Sequence, residues 1–190
     1  MFIAVGFLAG CSSATSGDGT SVVDQGYQSG DGSTKMWAPG DRGVPVELSG
    51  TDFAGVPVDV AAWRGDVVVL NTWYAACPPC RKEAPDLVAL AADYADQGVH
   101  LLGINGTDAA GAAQAYERKF AVTYPSIADS NGAAIAALQG AVPVQAVPTT
   151  VVVDREGRVA GRILGLADPS TLSALVDDVL AEPAATGAAS

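Results

Sequence analysis

Two cysteines, Cys77 and Cys80, enclose the prolines Pro78 and Pro79 in a C-x-x-C arrangement. An apolar run at residues 67–70 precedes the motif and a helix-favouring stretch follows it, which places the cysteines between a buried strand and a helix start. At a helix start, unpaired backbone N–H groups and the helix dipole stabilise a thiolate over a thiol. Because the thiolate is the nucleophile in disulfide exchange, the motif predicts redox chemistry.

The spacing of the two thiols suits a two-step exchange. The first thiol can be exposed to attack a substrate disulfide, and the second lies close enough to resolve the mixed disulfide. The two prolines fix φ twice and remove two N–H donors, which stiffens the loop. A zinc site would need a second ligand pair, but only Cys11 and His100 remain, and His100 fits a structural role in a strand. A structural disulfide across four residues would stabilise little, so redox chemistry is favoured and no metal is expected.

The N-terminal segment has the composition of a secretory signal. Residues 1–10 are apolar, too short to span a bilayer, and end in Leu-Ala-Gly followed by Cys11. This pattern resembles the bacterial lipobox, which implies a signal peptide at residues 1–11 and a lipidated Cys11. No Lys or Arg precedes the apolar run. Either translation starts further upstream, or the segment is a frayed apolar N-terminus with a spare thiol.

Composition divides the rest of the chain into three parts. Residues 12–40 are rich in Ser, Gly, Thr and Asp and are predicted to form a flexible tether. Residues 41–180 suit one domain, and residues 181–190 form a small-residue tail that we expect to be disordered. The net charge of −11 argues against binding to nucleic acid and against binding to lipid through a polybasic segment. It favours an acidic module outside the cytoplasm.

The hydrophobic patterns predict alternating strands and helices. A small hairpin is expected at residues 51–60, strands at 67–72, 99–105, 124–127, 149–153 and 159–164, and helices at 79–97, 108–120 and 131–138, with a last helix after Asp168. Asp108 and Asp168 stand where helix N-caps are expected. From residue 67 onward the order is βαβαβαββα, which predicts an α/β fold around a central sheet.

Four segments resemble the thioredoxin superfamily and, within it, the TlpA/ResA-like thiol–disulfide oxidoreductases. They are Asn-Thr-Trp at 71–73 before the motif, Arg-Lys-Glu-Ala-Pro at 81–85 after it, Val-Pro-Thr-Thr at 147–150 before the strand and turn at 151–157, and a helical segment at 107–126. The resemblance covers residues 44–180. It implies a thioredoxin-like fold whose central mixed sheet is flanked by helices, with an N-terminal β-hairpin and an inserted helical segment.

The resemblance also implies roles for the motif residues. Cys77 would be the attacking thiol and Cys80 the resolving thiol of a redox-active disulfide. Pro148 matches a cis-proline that turns the backbone of Val147 toward an incoming substrate, and an ordinary trans-proline opening an edge strand is the alternative. The substrate-binding residues would be Val147, Pro148, Pro78 and Pro79.

Three further residues have implied supporting roles. Glu83 would be a buried acid that tunes the thiols and relays protons, with burial raising its pKa, although a solvated glutamate on the first helical turn is the alternative. Asn71 stands where thioredoxin has a buried Asp, so Glu83 would replace that proton acceptor. Trp73 would pack beneath the motif as core. Ala76 replaces a Trp found in many relatives, which implies a smaller and less aromatic rim.

These features predict an extracytoplasmic, membrane-anchored bacterial thiol–disulfide oxidoreductase that needs no cofactor. The resemblance implies a reductase that acts on disulfide-bearing exported proteins, is fed by a membrane thiol/disulfide electron donor, and contributes to cytochrome c maturation. A disulfide-forming oxidase of the same fold and a peroxiredoxin-like thiol peroxidase are alternatives. A module holding Cu(I) between the two thiolates is a third.

Overall fold

The apolar run predicted as a buried strand forms an interior strand of the sheet. The computed structural model describes residues 26–140 and 146–183, and all six residues of the strand Val67–Thr72 are buried. The described strands are β1 (Tyr27–Gln28), β2 (Thr34–Met36), β3 (Ser49–Thr51), β4 (Pro57–Asp59), β5 (Val67–Thr72), β6 (Val99–Asn105), β7 (Ser126–Ala128), β8 (Thr149–Val153) and β9 (Val159–Leu164). The described α-helices are α1 (Pro78–Asp93), α2 (Ala110–Phe120), α3 (Ala133–Ala137) and α4 (Pro169–Ala181).

The main sheet is mixed and has the order β1-β2-β9-β8-β5-β6-β7. Strands β5, β6 and β7 run parallel, whereas β8 pairs antiparallel with both β5 and β9. The β3–β4 hairpin forms a separate two-stranded sheet. The predicted fold class is therefore confirmed, and the predicted bounds of β5, β6, β8 and β9 match the observed ones.

Side-chain alternation along β5 divides the core into two layers. Val67 and Val69 pack with Leu87 of α1 and with α4, while Val68 and Leu70 pack with the β3–β4 hairpin and α3. Successive side chains of a strand point to opposite faces, so a strand covered on both faces must be apolar throughout. Strand β5 therefore lies between the two core layers, and its carboxyl end leads into the cysteine motif.

The ordered structure begins earlier than the predicted domain boundary at residue 41. Residues 27–36, which we expected in the tether, form the β1–β2 hairpin, and β2 pairs antiparallel with β9. Composition did not predict this hairpin, because a short edge strand is held by backbone hydrogen bonds to its neighbour and needs few apolar residues. Within the hairpin only Met36 is buried in the core. Ala181, which was predicted to belong to the tail, ends α4, and the Glu182 carboxylate accepts 2.7 Å from Nη1 of Arg42. Residues 1–25, which include Cys11 and the first part of the predicted tether, and the tail residues 184–190 lie outside the described residues.

His100 lies on β6, away from the cysteine motif. Its ring stacks on Trp63 with 4.8 Å between centroids, and its Nε2 lies 2.9 Å from a carboxylate oxygen of Asp66. These contacts agree with the structural role expected for this histidine. In the two described ranges, no helix is both long enough and apolar enough to cross a bilayer.

Candidate active site

The two motif cysteines are joined in a disulfide at the start of α1. Cys77 is the N-cap residue, and the backbone N–H of Cys80 donates a hydrogen bond of 3.1 Å to its Sγ. Pro78 and Pro79 occupy the first two helical positions and carry no N–H. The amide of Cys80 is therefore the first in the helix that can face the sulfur of Cys77.

Both sulfur-bearing residues are buried in this disulfide state. Cys77 is 1% exposed and Cys80 is 0% exposed. We expected the first thiol to be exposed, whereas here the exposed rim consists of Ala76 and Pro78. The difference arises because the disulfide holds Cys77 against the helix start. A substrate can reach this sulfur only when the rim or the Cys77 side chain moves.

Aromatic side chains pack beneath the disulfide. Trp73 stacks on Tyr116 of α2 with 4.3 Å between ring centroids, and the Tyr116 hydroxyl donates a 2.8 Å hydrogen bond to the carbonyl oxygen of Cys80. Burial raises the pKa of Tyr116, so the hydroxyl remains a donor at neutral pH. Trp73 lies in the core as predicted. Tyr116 could not be singled out from the sequence, where its only signal is its place within the helix predicted at residues 108–120.

The predicted cis-proline lies at the same end of the sheet. The Val147–Pro148 peptide bond is cis, and Thr149 pairs with Thr72, the last residue of β5 before the motif. The N–H of Thr149 donates 2.8 Å to Oγ1 of Thr72, and the N–H of Gly165 donates 2.8 Å to the carbonyl of Pro148. The backbone amide and carbonyl of Val147 have no hydrogen-bond partner among the described residues.

Glu83 is a buried carboxyl group one helical turn after Cys80. It is 1% exposed; its Oε1 accepts 2.9 Å from Nδ2 of Asn71 and its Oε2 accepts 3.2 Å from the N–H of Ala167. Burial raises the pKa of Glu83 from 4.5 to about 7, although both hydrogen bonds oppose the shift. This favours the buried-acid interpretation over the solvated one. The sequence could not identify Ala167 as a partner, because this contact joins α1 to the loop before α4.

Asp108 lies in the site, which differs from its predicted capping role. The N-cap of α2 is Ala109, which forms no side-chain capping bond. The Asp108 Oδ2 accepts instead from the N–H of Ala75, two residues before Cys77, at 2.5 Å. A capping pattern is local, whereas this contact depends on where β6 ends relative to the motif.

The cavities and carboxylates nearby do not form an evident metal centre. In the part of the chain that the structure describes, no group of three or more His, Cys, Asp or Glu side chains is arranged to hold a metal ion. A cavity of about 120 Å³ between α1 and α4 is lined by Glu83, Asp86 and Leu172, among others. A disulfide at a helix start, with the buried Glu83 one turn further along α1, is an arrangement that can support thiol chemistry.

Comparisons with known proteins agree with this arrangement. A sequence model described as "AhpC/TSA family" matches residues 39–162. Thiol-disulfide oxidoreductase ResA of Halalkalibacterium halodurans is 26% identical over 120 residues, which is 63% of this chain and 65% of that protein. The chain thus spans just under two thirds of the length of the curated relatives it matches.

Two solved structures are similar over most of the described chain. A secreted thiol-disulfide isomerase from Corynebacterium glutamicum has a TM-score of 0.73 and 29% identity, covering 82% of this chain and 97% of that one. A DsbF homologue from Corynebacterium diphtheriae has a TM-score of 0.69 and 29% identity, covering 80% and 96%. The thioredoxin-like fold and the resemblance to thiol–disulfide oxidoreductases of this superfamily are confirmed.

Proposed function

We infer that this chain, which belongs to the AhpC/TSA family, is a thiol–disulfide oxidoreductase acting through Cys77 and Cys80. The observation that carries the inference is the Cys77–Cys80 disulfide at the N-terminus of α1, at the same end of the sheet as the backbone of Val147, which has no hydrogen-bond partner among the described residues. A purely structural disulfide would need neither the helix start nor such a backbone segment at the same end of the sheet. The names of the matched relatives support the same chemistry.

The proposed cycle begins from the reduced dithiol. The Cys77 thiolate attacks one sulfur of a substrate disulfide, a Cys77–substrate S–S bond forms, and one substrate thiolate leaves. The Cys80 thiol loses its proton and attacks the Cys77 sulfur, which releases the second substrate thiolate and forms the Cys77–Cys80 disulfide. Two electrons pass from the enzyme to the substrate, and both substrate thiolates take up protons. An external dithiol must then reduce the enzyme.

Glu83 is proposed to accept the Cys80 proton during the second step. A carboxyl group with a pKa of about 7 is divided between its two protonation states at neutral pH, so it can take up and release a proton at little cost. Asn71 holds its Oε1 and the Ala167 amide holds its Oε2, which keeps the group in place. The cavity between α1 and α4 gives this carboxyl group a route to solvent.

The substrate is proposed to be an extended, apolar segment of a disulfide-bearing exported protein. Val147 and Leu166, each 39% exposed, present apolar side chains from the two loops joined by the hydrogen bond from Gly165 to Pro148. The amide and carbonyl of Val147, which are unpaired within the described ranges, would pair with the substrate main chain as in strand addition. Pro78 and Pro79 would complete the rim beside Cys77.

Reduction is the proposed direction of transfer. The thiolate of Cys77 can accept hydrogen bonds from few backbone amides, because the first two helical positions are prolines. A less stabilised thiolate makes the dithiol a better reductant, since reduction potential rises with stabilisation of the reduced form.

The cellular setting is likewise a proposal. Lipidation of Cys11 would anchor the chain outside the cytoplasm of a bacterial cell, where a membrane thiol/disulfide donor could reduce it. Residues 12–25 would serve as tether, and the thioredoxin-like domain would extend through the end of α4 at Ala181. Exported disulfide proteins, including those of cytochrome c maturation, are the proposed destination of the electrons.

The equilibrium reduction potential of the Cys77–Cys80 pair tests the direction. The full chain carrying Cys11→Ser, which removes the third thiol, is equilibrated in a glutathione series and its free thiols are trapped. A potential near or below about −230 mV supports a reductase, whereas a value near −120 mV identifies a disulfide-forming oxidase.

Substrate assays test the activity itself. Catalysed reduction of insulin disulfides is expected for the wild-type chain and is abolished by Cys77→Ser. Turnover of hydrogen peroxide in the absence of a disulfide substrate would instead favour the thiol peroxidase. Stoichiometric retention of Cu(I) by a protein inactive toward disulfides would favour the copper-holding alternative.

A further inference from the structure

We propose that Asp108 is a positioning residue of the active site that fixes, through the amide of Ala75, the turn that carries Cys77. The inference rests on the proposed oxidoreductase function and adds to it a residue outside the C-x-x-C motif. Asp108 lies in the loop between β6 and α2, 33 residues from Ala75. Its carboxylate reaches the segment that leads β5 into the disulfide.

The orientation of the Asp108 carboxylate is set by a buried neighbour. Its Oδ2 accepts 2.5 Å from the N–H of Ala75 and 2.8 Å from Nδ2 of Asn105. The Oδ1 of Asn105 accepts from the N–H groups of Thr107 and Asp108, each at 3.0 Å. Asn105 is 1% exposed and ends β6, so the sheet itself places the carboxylate.

The carbonyl group of Ala75 is bonded to a cationic side chain. Nη1 of Arg81, on the first turns of α1, donates 2.9 Å to the carbonyl oxygen of Ala75. The N–H of Cys77 donates 3.1 Å to the carbonyl of Tyr74, which closes the turn. Both peptide groups of Ala75 are therefore bonded to charged side chains, and hydrogen bonds to charged groups are the stronger ones. The turn before Cys77 is clamped between the β6–α2 loop and α1.

The start of α2 shows that this placement overrides a local preference. Aspartate is among the best N-cap residues, yet the N-cap is Ala109 and it makes no side-chain capping bond. Asp108, one residue earlier, bonds the active-site turn instead. Natural proteins depart from local rules mainly at functional sites, so the departure points to a role for this contact.

Positioning is the role that fits the charge. A carboxylate near Cys77 disfavours the thiolate, so it would not serve to activate the nucleophile electrostatically. In the oxidised protein the disulfide also restrains Cys77. After reduction this restraint is gone, and the clamp on Ala75 must keep the Cys77 sulfur in line with the Cys80 amide.

Two uncharged variants separate position from charge. Asp108→Asn removes the charge but keeps an oxygen that can accept from Ala75, whereas Asp108→Ala removes both. Asp59→Ala is the matched control, because its carboxylate also accepts one backbone amide, that of Ala61, but on the distant β4. Each is made in the full chain carrying Cys11→Ser. The pH profile of iodoacetamide alkylation of reduced Cys77 and kcat/KM for insulin reduction are measured.

If Asp108 positions the turn, Asp108→Ala lowers kcat/KM by about tenfold, whereas the kcat/KM of Asp108→Asn stays within about threefold of wild type. Alkylation of Cys77 also has a higher pH midpoint in Asp108→Ala than in Asp108→Asn. Asp59→Ala matches wild type in both readouts. Equal behaviour of the alanine and asparagine variants overturns the inference. Failure of the wild type to reduce insulin would contradict the proposed function, and the alkylation profiles would still test the role of Asp108.

Discussion

Asn71 in β5 donates a 2.9 Å hydrogen bond from Nδ2 to Oε1 of Glu83 in α1, across the buried contact between sheet and helix. The same amide group donates 3.1 Å to Oγ1 of Thr150 in β8. An acid enclosed in this way can hold or release a proton within one turn of Cys80 while its side chain stays buried beside the cavity between α1 and α4. The two hydrogen bonds connect β5, β8 and α1 in one buried polar network, and Cys80 lies one turn before Glu83 on α1.

Glu83 is expected to make stability fall as pH rises. Its pKa is about 7 in the folded chain and near 4.5 when unfolded, so the protonated form is favoured in the fold. Its contribution is fully present below about pH 4.5 and is lost as pH rises through 7. The loss is roughly 3 kcal/mol in the free energy of unfolding between those limits.

The measurement is urea unfolding of oxidised wild type and of Glu83→Gln from pH 4.5 to pH 8. The glutamine variant should lack this decline because its side chain does not ionise. Glu47→Gln removes an exposed carboxylate and serves as the control, with an unchanged pH dependence. Parallel curves for wild type and Glu83→Gln would show that Glu83 ionises normally in the fold.

Asn71→Asp is expected to raise the pKa of Glu83 further. The substitution removes the Nδ2 donor and places a second carboxyl group within hydrogen-bond distance, so the two groups would share protons. The readout is an NMR titration of ¹³C-labelled carboxyl groups. Thr150→Val removes the other Asn71 partner and should leave the Glu83 midpoint nearly unchanged. A lower midpoint in Asn71→Asp would contradict the expectation.

Pro79→Ala is expected to raise the reduction potential of the disulfide. The substitution restores an N–H at the second helical position, where N-cap side chains accept hydrogen bonds, and so stabilises the Cys77 thiolate. A gain of about 1 kcal/mol corresponds to roughly 20 mV. Pro78→Ala is the control, since it also loses a ring but restores the amide at the first position. Equal shifts in both variants would rule out the hydrogen-bond explanation.

Gly103→Ala is expected to disturb the aromatic support of the site. Gly103 pairs with Asn71, and an added Cβ would lie 2.6 Å from Nε1 of Trp73 and against Oγ of Ser126. Overpacking of this kind costs about 1–3 kcal/mol of stability. Thermal unfolding and tryptophan fluorescence would report it. Gly111→Ala, in open space on α2, should instead be neutral or slightly stabilising, and loss of stability there would point to a general effect of the substitution.

Local pattern was enough to predict much of the frame. A buried strand is apolar along its whole length and a helix start has its own residue preferences, so β5, β6, β8, β9 and the start of α4 at Asp168 could be placed from the sequence. The C-x-x-C spacing likewise predicted a disulfide-forming pair. The cis bond before Pro148 was implied by resemblance and is present.

Local sequence patterns could not predict the contacts between segments that are distant in the chain. The β1–β2 hairpin depends on a free edge at β9, and the burial of Cys77 depends on the side chains packed around the disulfide. Asp108 has the same sequence context as a helix cap but bonds Ala75.

The sequence by itself determined which residues could perform thiol chemistry and the order of the elements that carry them. Only the tertiary structure decided that Glu83 is enclosed by Asn71 and Ala167, with a pKa near 7, and that Asp108 holds the active-site turn. The physical reason is that desolvation and hydrogen bonding depend on which surfaces meet when helices pack on the sheet. These contacts join residues dozens of positions apart, and neither helix or strand propensity nor hydrophobic periodicity indicates which distant residues will pack together.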